Sequence, residues 1–221
     1  MAKVNLPAIE RFSGPRPLVF LVPSTRMMDA EGNGPGLAVR DSYHLLSRSL
    51  THAGYATYRF AWGEPGKFSL PEVLAHYSAA CREERVDSRK GVLIGIEEGA
   101  DCLARDYYEV YAVNPPMAEI LLSPRVHPID FNNVTCPYLL LFGQEDPQFK
   151  VVPYEQVKAS IHHHQSRYGD LTTHFCFPQL RRDLGRVYLS EEVVDEIQAW
   201  LKRVLKNPSR PQEAAARGSA A

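Results

Sequence analysis

The chain has no long hydrophobic run and no surplus of charge of either sign. No apolar stretch is long enough to span a bilayer, and Met1-Ala2-Lys3-Val4-Asn5-Leu6-Pro7 has none of the apolar core of a secretory signal. A net charge of −1, without a basic block or an acidic tail, argues against nucleic acid and anionic membranes as partners. Cysteine is scarce. Cys81, Cys102, Cys136 and Cys176 stand singly, with no Cys-x-x-Cys spacing to bind zinc or cycle as a redox pair. Each lies in or beside an apolar segment, as buried thiols of a reducing compartment do, and the expected location is the cytoplasm. There is no phosphate-cradling loop either, because the glycines between Gly32 and Gly36 lack a lysine and a strand-to-helix setting. Neither an internal repeat nor an interdomain linker is visible.

What is present is the make-up of a soluble globular domain. A hydrophobic fraction of 44% over 221 residues is enough to build one sizeable core. The expected organisation is a single domain over residues 1–206. From Asn207 onward, Pro, Ala, Arg and Ser without apolar periodicity predict a disordered tail over 207–221.

Short apolar runs alternate with helix-period segments, the pattern of a mostly parallel sheet covered on both faces. Residues 17–23 (Pro-Leu-Val-Phe-Leu-Val-Pro) read as a first buried strand, followed by a turn-rich loop over 29–36. A helix carries Val39, Tyr43, Leu46, Leu50 and Ala53 on one stripe and stops at Gly54. Residues 55–60 give the next strand, and a helix follows near 71–85. Further strands fall at 120–124, 138–143 and 174–177. The closing helix starts at Ser190 as N-cap, with Glu191 and Glu192 at its positive end and a stripe of Val193, Val194, Ile197, Leu201, Val204 and Leu205.

Between these elements, residues 91–100 (Gly-Val-Leu-Ile-Gly-Ile-Glu-Glu-Gly-Ala) read as a buried strand entering a helix through Gly95-x-Glu97-x-Gly99. That is the frame of a nucleophile elbow with glutamate where serine would stand. Small neighbours are needed because a strained reversal pushes the central side chain into a cleft.

In the order and spacing of these pieces the chain resembles the α/β-hydrolase family over residues 16–206. The strand ending at Pro23 stands where that family places its oxyanion-hole loop. Residues 50–60 (Leu-Thr-His-Ala-Gly-Tyr-Ala-Thr-Tyr-Arg-Phe) look like its helix-Gly-Tyr-strand passage. Residues 139–147 (Leu-Leu-Leu-Phe-Gly-Gln-Glu-Asp-Pro) look like the strand that delivers its acid, which puts Asp146 in that role. The resemblance implies an α/β fold of about six strands with helices on both faces. It also implies that the family's first two strands are absent or vestigial, and that no large lid fits between Ser123 and Cys136.

The departures decide the functional expectation. Acyl transfer in this family needs a serine at the elbow, a histidine to take its proton and an acid to orient the histidine. Here Glu97 holds the elbow. Where the family reads Pro-Gly-x-x-His, this chain has Pro178-Gln179-Leu180-Arg181-Arg182-Asp183, so Arg182 or Arg181 fills the histidine slot. The expectation is that Glu97, Asp146 and Arg182 form a non-catalytic ionic cluster, with Ser24, Thr25, Ile96, Glu98 and Ser123 lining the retained cleft. Such a protein is a pseudo-hydrolase that binds a small molecule or a protein partner, a second copy of itself among the options. The alternative is an enzyme of altered mechanism with Glu97 as acid, base or nucleophile, for which His174 or His127 would have to supply a base.

Other residues weigh less. His162-His163-His164 on one helix point about 100° apart and cannot share a metal; they, with His44, His52 and His76, are expected on solvated faces. Ser24 and Ser123 at strand ends are expected to satisfy backbone groups rather than act as displaced nucleophiles. Glu97 and Asp101 share a helix face, but a magnesium ion there would meet the unfavourable end of the helix dipole. No metal and no cofactor is expected.

Overall fold

The computed structural model describes residues 2–7, 14–26, 28–34, 41–64, 66–125, 128–143, 146, 154–177 and 191–206. Strand β2 (Arg16–Val22) shows why the architecture is layered. Leu18, Phe20 and Val22 enter one core, while Val19 and Leu21 enter another. A strand buried on both faces reads as a continuous apolar run, and helices must cover each side.

The other strands are β1 (Ala2–Asn5), β3 (Ala56–Phe60), β4 (Val86–Ile96), β5 (Ala118–Leu122), β6 (Tyr138–Gly143) and β7 (Thr173–Phe177). They form one seven-stranded sheet in the order β1-β3-β2-β4-β5-β6-β7. All neighbours are parallel except β1, which runs antiparallel to β3 with Val4 opposite Tyr58. The six expected strands are therefore present, together with a seventh at the N-terminal edge. Four partly exposed residues are too few to show a period of two, so β1 is not legible as a strand.

Helices α1 (Ser42–His52) and α6 (Glu191–Lys206) pack together on the face that receives Val19, Leu21, Ile94 and Leu141. Helices α2 (Leu70–Cys81), α3 (Glu98–Arg105), α4 (Tyr107–Val113) and α5 (Tyr154–Tyr168) cover the other face. Helix α2 starts where Ser69 accepts a hydrogen bond from the Glu72 N–H, followed by Leu70 and a helix-compatible proline at 71. It ends at Cys81, before the expected 85. The stripe of α6 is as expected, with Trp200 added: its ring is buried and its indole N–H donates to Leu171 O at 2.8 Å. Val39, Ser190 as N-cap and the tail over 207–221 lie outside the described residues.

Two histidine expectations fail. His164 is buried; Nε2 lies 2.8 Å from Val134 O and Nδ1 2.9 Å from Thr172 Oγ1. Desolvation holds its pKa down to about 4, so it is a neutral core group. Val157, Ile161 and His164 stand at i, i+4 and i+7 on the buried face of α5, while the two preceding rings turn outward. His76 is half-buried, stacked on Phe60 at 4.4 Å with Nδ1 3.0 Å from Tyr58 Oη. His44 and His52 are exposed.

No described helix is long and apolar enough to cross a membrane. Of the cysteines, Cys81, Cys102 and Cys136 are free thiols.

Candidate functional site

The sheet order reverses at β2: the chain leaves β2 for β3 on one side, and β4 lies on the other. In open parallel sheets, ligands gather at such a switch point, beyond the C-terminal strand ends. Here the loops after β2 and β4 meet at that edge. The first supplies Ser24, Thr25 and Arg26, the second Glu97 and Glu98. The end of β5 adds Ser123 and Arg125, and the end of β6 adds Asp146, also buried.

Glu97 sits at the turn from β4 to α3 with φ 50° and ψ −114°, a conformation L side chains rarely adopt. The flanking glycines are fixed by space rather than by φ. A Cβ on Gly95 would lie 2.5 Å from Ala100 Cα, and one on Gly99 would lie 2.2 Å from Val22 O. The elbow is anchored by its own backbone, Glu97 N–H donating to Leu122 O at 2.9 Å and Asp101 N–H to Glu97 O at 2.9 Å. Its geometry is that of a nucleophile elbow, and it carries a carboxylate.

Glu97 is only 1% exposed. Its Oε2 lies 2.6 Å from Ser24 Oγ and 3.9 Å from Arg26 Nε; its Oε1 lies 3.6 Å from an Arg125 Nη and has no hydrogen-bond partner. Glu98, the first residue of α3, turns back over the same loop. Its Oε2 lies 2.9 Å from Ser24 Oγ and accepts from the Thr25 N–H at 3.3 Å, while its Oε1 is 3.5 Å from Arg125 Nη1. Asp101, one turn along α3, accepts from the backbone N–H of Arg125. The Ser24 loop is held from behind by Trp62, whose indole N–H donates to Ser24 O at 3.1 Å.

The two adjacent glutamates titrate in opposite directions. Burial pushes Glu97 above the ordinary glutamate value, against the lowering pull of Ser24 and Arg26 and with the help of Glu98. Burial acts on Glu98 too, but the hydrogen bonds from its own backbone N–H, Ser24 and Thr25, and the Arg125 charge, outweigh it and hold Glu98 below that value. Asp101 is pushed up to about 6, chiefly by burial.

An α/β-hydrolase oxyanion hole is built from the N–H of the residue after the nucleophile and an N–H from the loop after the strand that β2 represents. The corresponding positions in this chain are Glu98 and Thr25, and the Thr25 N–H donates to the Glu98 carboxylate at 3.3 Å.

Of the residues expected at the site, Glu97, Glu98, Ser24 and Thr25 are brought together. Ser123 is buried at the same edge with φ 49°, its N–H bonded to Leu141 O at 2.9 Å. Ile96 does not line the cleft: strand alternation turns its side chain into the core under α1 and α6. Arg181, Arg182 and His127 lie outside the described residues. His174, expected as a base only if it reached the elbow, stands on β7 against the Tyr154 ring at 5.6 Å, on the far side of β5 and β6. Among the described residues no group of three His, Cys, Asp or Glu side chains is placed to hold a metal.

The sequence reading missed Arg125, Arg26 and the contact of the Glu98 carboxylate with the Thr25 N–H. A basic residue three or four positions past a buried strand end, as Arg125 stands after Leu122 and Arg26 after Val22, is the signal that could have placed the two arginines at this edge. A cavity of about 290 Å³ between Leu6, Pro7, Arg16, Glu84 and Arg85 opens at the opposite edge of the sheet. It holds none of the buried, unbonded polar atoms that mark the elbow, and we place the site at the elbow.

Arg125 is 43% exposed and Glu98 25%, so their attraction is screened. A double-mutant cycle on Glu98→Gln and Arg125→Met, read by thermal or urea unfolding, is expected to give a coupling of about 0.5–1 kcal/mol. Additive effects would show that Arg125 does not hold the Glu98 carboxylate in place.

The sequence matches no protein-family model and no curated protein. Solved structures do match. A lidless α/β serine hydrolase of Xanthomonas campestris is 19% identical, over 91% of this chain and 88% of that one, with a TM-score of 0.58. A promiscuous phosphotriesterase resembling dienelactone hydrolase, from metagenomic libraries, is 15% identical over 93% and 91%, with a TM-score of 0.61. A hyperthermophilic esterase of Pyrobaculum calidifontis is 13% identical over 92% and 81%, with a TM-score of 0.62. At this identity the likeness shows the fold: the chain has the α/β-hydrolase fold.

Proposed function

We propose that this protein is a pseudo-hydrolase, an α/β-hydrolase-fold module that binds a small molecule or a protein partner at the elbow without serine-hydrolase turnover. One observation supports the reading: the Thr25 N–H, which the fold would use as an oxyanion donor, is taken by the Glu98 carboxylate, next to an elbow that offers Glu97 instead of a hydroxyl nucleophile. Preorganised donors aimed at the developing oxyanion are a large term in acyl transfer, so taking one with an internal anion weakens it. The free thiols of Cys81, Cys102 and Cys136 suit work in a reducing compartment such as the cytoplasm.

Purified protein is expected not to hydrolyse p-nitrophenyl esters above background, nor to be labelled by a fluorophosphonate. Glu97→Ser alone is expected to stay inactive, because Glu98 still takes the Thr25 N–H and a histidine base is still wanting. Glu97→Ser with Glu98→Ala and Arg182→His restores each missing part and is the combination expected to show weak turnover. Fluorophosphonate labelling of the unmodified protein at Ser24 or Ser123 would overturn the proposal, since the nucleophile would then have moved rather than vanished.

A second reading rests on the opposite pKa shifts of Glu97 and Glu98. Neighbouring titratable groups pushed apart are the mark of an acid and base pair, and a non-serine enzyme that moves protons could use them.

A further inference from the structure

Three groups surround Ser24 Oγ within hydrogen-bond distance: Glu97 Oε2 at 2.6 Å, Glu98 Oε2 at 2.9 Å and the Arg26 backbone N–H at 3.3 Å. A serine hydroxyl has one hydrogen to give and two lone pairs to accept with. The Arg26 N–H takes one lone pair. Were both carboxyls ionised, one hydrogen would have to serve two anions while the second lone pair stayed empty. The count closes in one way: one carboxyl carries a proton and donates it to Ser24, and Ser24 donates to the other.

Which carboxyl carries it follows from the remaining contacts. Glu98 Oε2 also accepts from the Thr25 N–H, so it acts as an acceptor. Glu97 Oε2 has Ser24 and, at 3.9 Å, only the loose Arg26. The other Glu97 oxygen is buried without a hydrogen bond, and its arginine stands off at 3.6 Å. Leaving a neutral carbonyl oxygen unbonded in a buried site costs far less than leaving half a carboxylate so.

We propose that Glu97 and Glu98 share one proton through Ser24, as an acid–hydroxyl–carboxylate relay at the position where this fold does its chemistry. The relay runs from the Glu97 carboxyl to Ser24 Oγ and from the Ser24 hydroxyl to the Glu98 carboxylate. Shifting both hydrogens one step breaks the Glu97 O–H and Ser24 O–H bonds and makes a Ser24 O–H and a Glu98 O–H bond. The net charge is unchanged and the negative charge moves from Glu98 to Glu97. Glu98 in that state is a neutral acid and a weaker acceptor for the Thr25 N–H, so proton position and cleft occupancy are coupled.

Rising pH removes the shared proton and leaves two anions beside one hydroxyl, so the site is switched by pH as well as by ligands that draw the charge to Glu97. The groups that set the switch come from every neighbouring element. Arg26 and Arg125 favour the ionised form. Glu98 on α3 opposes it, and Glu98 also raises Asp101 one turn along the same helix. The buried Tyr43 hydroxyl on α1 is itself kept protonated by burial, with Glu97 and Glu98 adding to that effect. This deepens the non-hydrolase reading by naming what regulates its site, and rests on it only in taking the elbow carboxyl as the working group.

Infrared difference spectra of wild type minus Glu97→Gln, recorded without ligand across a pH titration, test the relay. The expected result is a protonated-carboxyl band from Glu97 that persists above the ordinary glutamate range and vanishes on further titration. Glu98→Gln removes the neighbouring anion and is expected to shift that midpoint down. Ser24→Ala removes the acceptor and is expected to shift the band to the frequency of an unbonded acid. If Glu97→Gln does not fold, titration of ¹³C-glutamate-labelled wild type and Glu98→Gln by NMR reads the same coupling. A Glu97 signal ionised throughout that range, or a midpoint indifferent to Glu98→Gln, would overturn the proposal. Neither result bears on ester hydrolysis, so the two readings can fail separately.

Discussion

Gly99→Ala is expected to be among the most damaging single-methyl additions this protein can suffer. The new Cβ would lie 2.2 Å from Val22 O, 2.8 Å from Val22 C and 3.0 Å from Pro23 O. All three are backbone atoms at the end of β2, so no rotamer change clears them. Alanine has the better helix propensity by about 1 kcal/mol, which works in the opposite direction. Overpacking a core usually costs about 1–3 kcal/mol, and a clash against an immovable strand lies at or beyond the top of that range. For a chain of this size that corresponds to a loss of roughly 6–12 °C in melting temperature. Gly66→Ala is the control: nothing lies within 4 Å of the added methyl and only its φ of 80° is unfavourable, for about 1–2 kcal/mol. A Gly99→Ala protein that melts with wild type would mean that α3 does not press on the end of β2. The elbow geometry built on that contact would fall with it.

The sheet was legible in the sequence because its central strands are apolar on both faces and bounded by turn formers. The elbow was legible for a related reason: two glycines four residues apart, joining a strand to a helix, have few other uses. The site was legible only in part. Glu97 could be found, since it interrupts a known frame. Arg125 could be placed at a strand end but not beside Glu97, because the two meet only through the pairing of β4 with β5, Ile96 opposite Leu122, and that register is a tertiary fact. From the sequence, the guanidinium that satisfies Glu97 is expected at Arg182 or Arg181, which lie outside the described residues. The described structure supplies Arg26 and Arg125 to that role, at distances loose enough to leave the carboxyl protonated. Glu98 was expected merely to line the cleft. That it folds back over the Thr25 N–H depends on how closely the ends of β2 and β4 approach, which Gly99 permits and no sequence pattern displays.

Glu119 is the residue whose replacement is expected to raise stability most. It lies on β5 between Leu93 and Tyr138 in register, fully buried, and neither carboxyl oxygen has a hydrogen-bond partner. In sequence it looks like an ordinary strand-start glutamate; paired strands on both sides and the cover of the α3–α4 face bury it. Burial alone holds it well above the ordinary 4.5, as a neutral acid. The sign of the linkage follows. Above 4.5 the unfolded chain releases this proton and the folded protein keeps it, so the unfolded state binds fewer protons and folding stability falls as pH rises. The fall is up to about 1.4 kcal/mol per pH unit and continues until Glu119 ionises in the folded protein. Glu119→Gln keeps the shape and the neutral polar group but has no proton to lose. Its melting temperature is expected to match wild type near pH 4 and to rise above it progressively toward neutral pH. Each kcal/mol is worth about 2–4 °C in a protein of this length. Glu119→Leu also removes the unbonded polar oxygens and is expected to exceed the glutamine variant across the whole range, provided the branched side chain fits between Leu93 and Tyr138. The measurement is a set of melting curves from pH 4 to 8. Parallel curves for wild type and Glu119→Gln would mean that Glu119 ionises at its ordinary pH through a partner or water in the core, and that the carboxyl is not the isolated acid its surroundings make it.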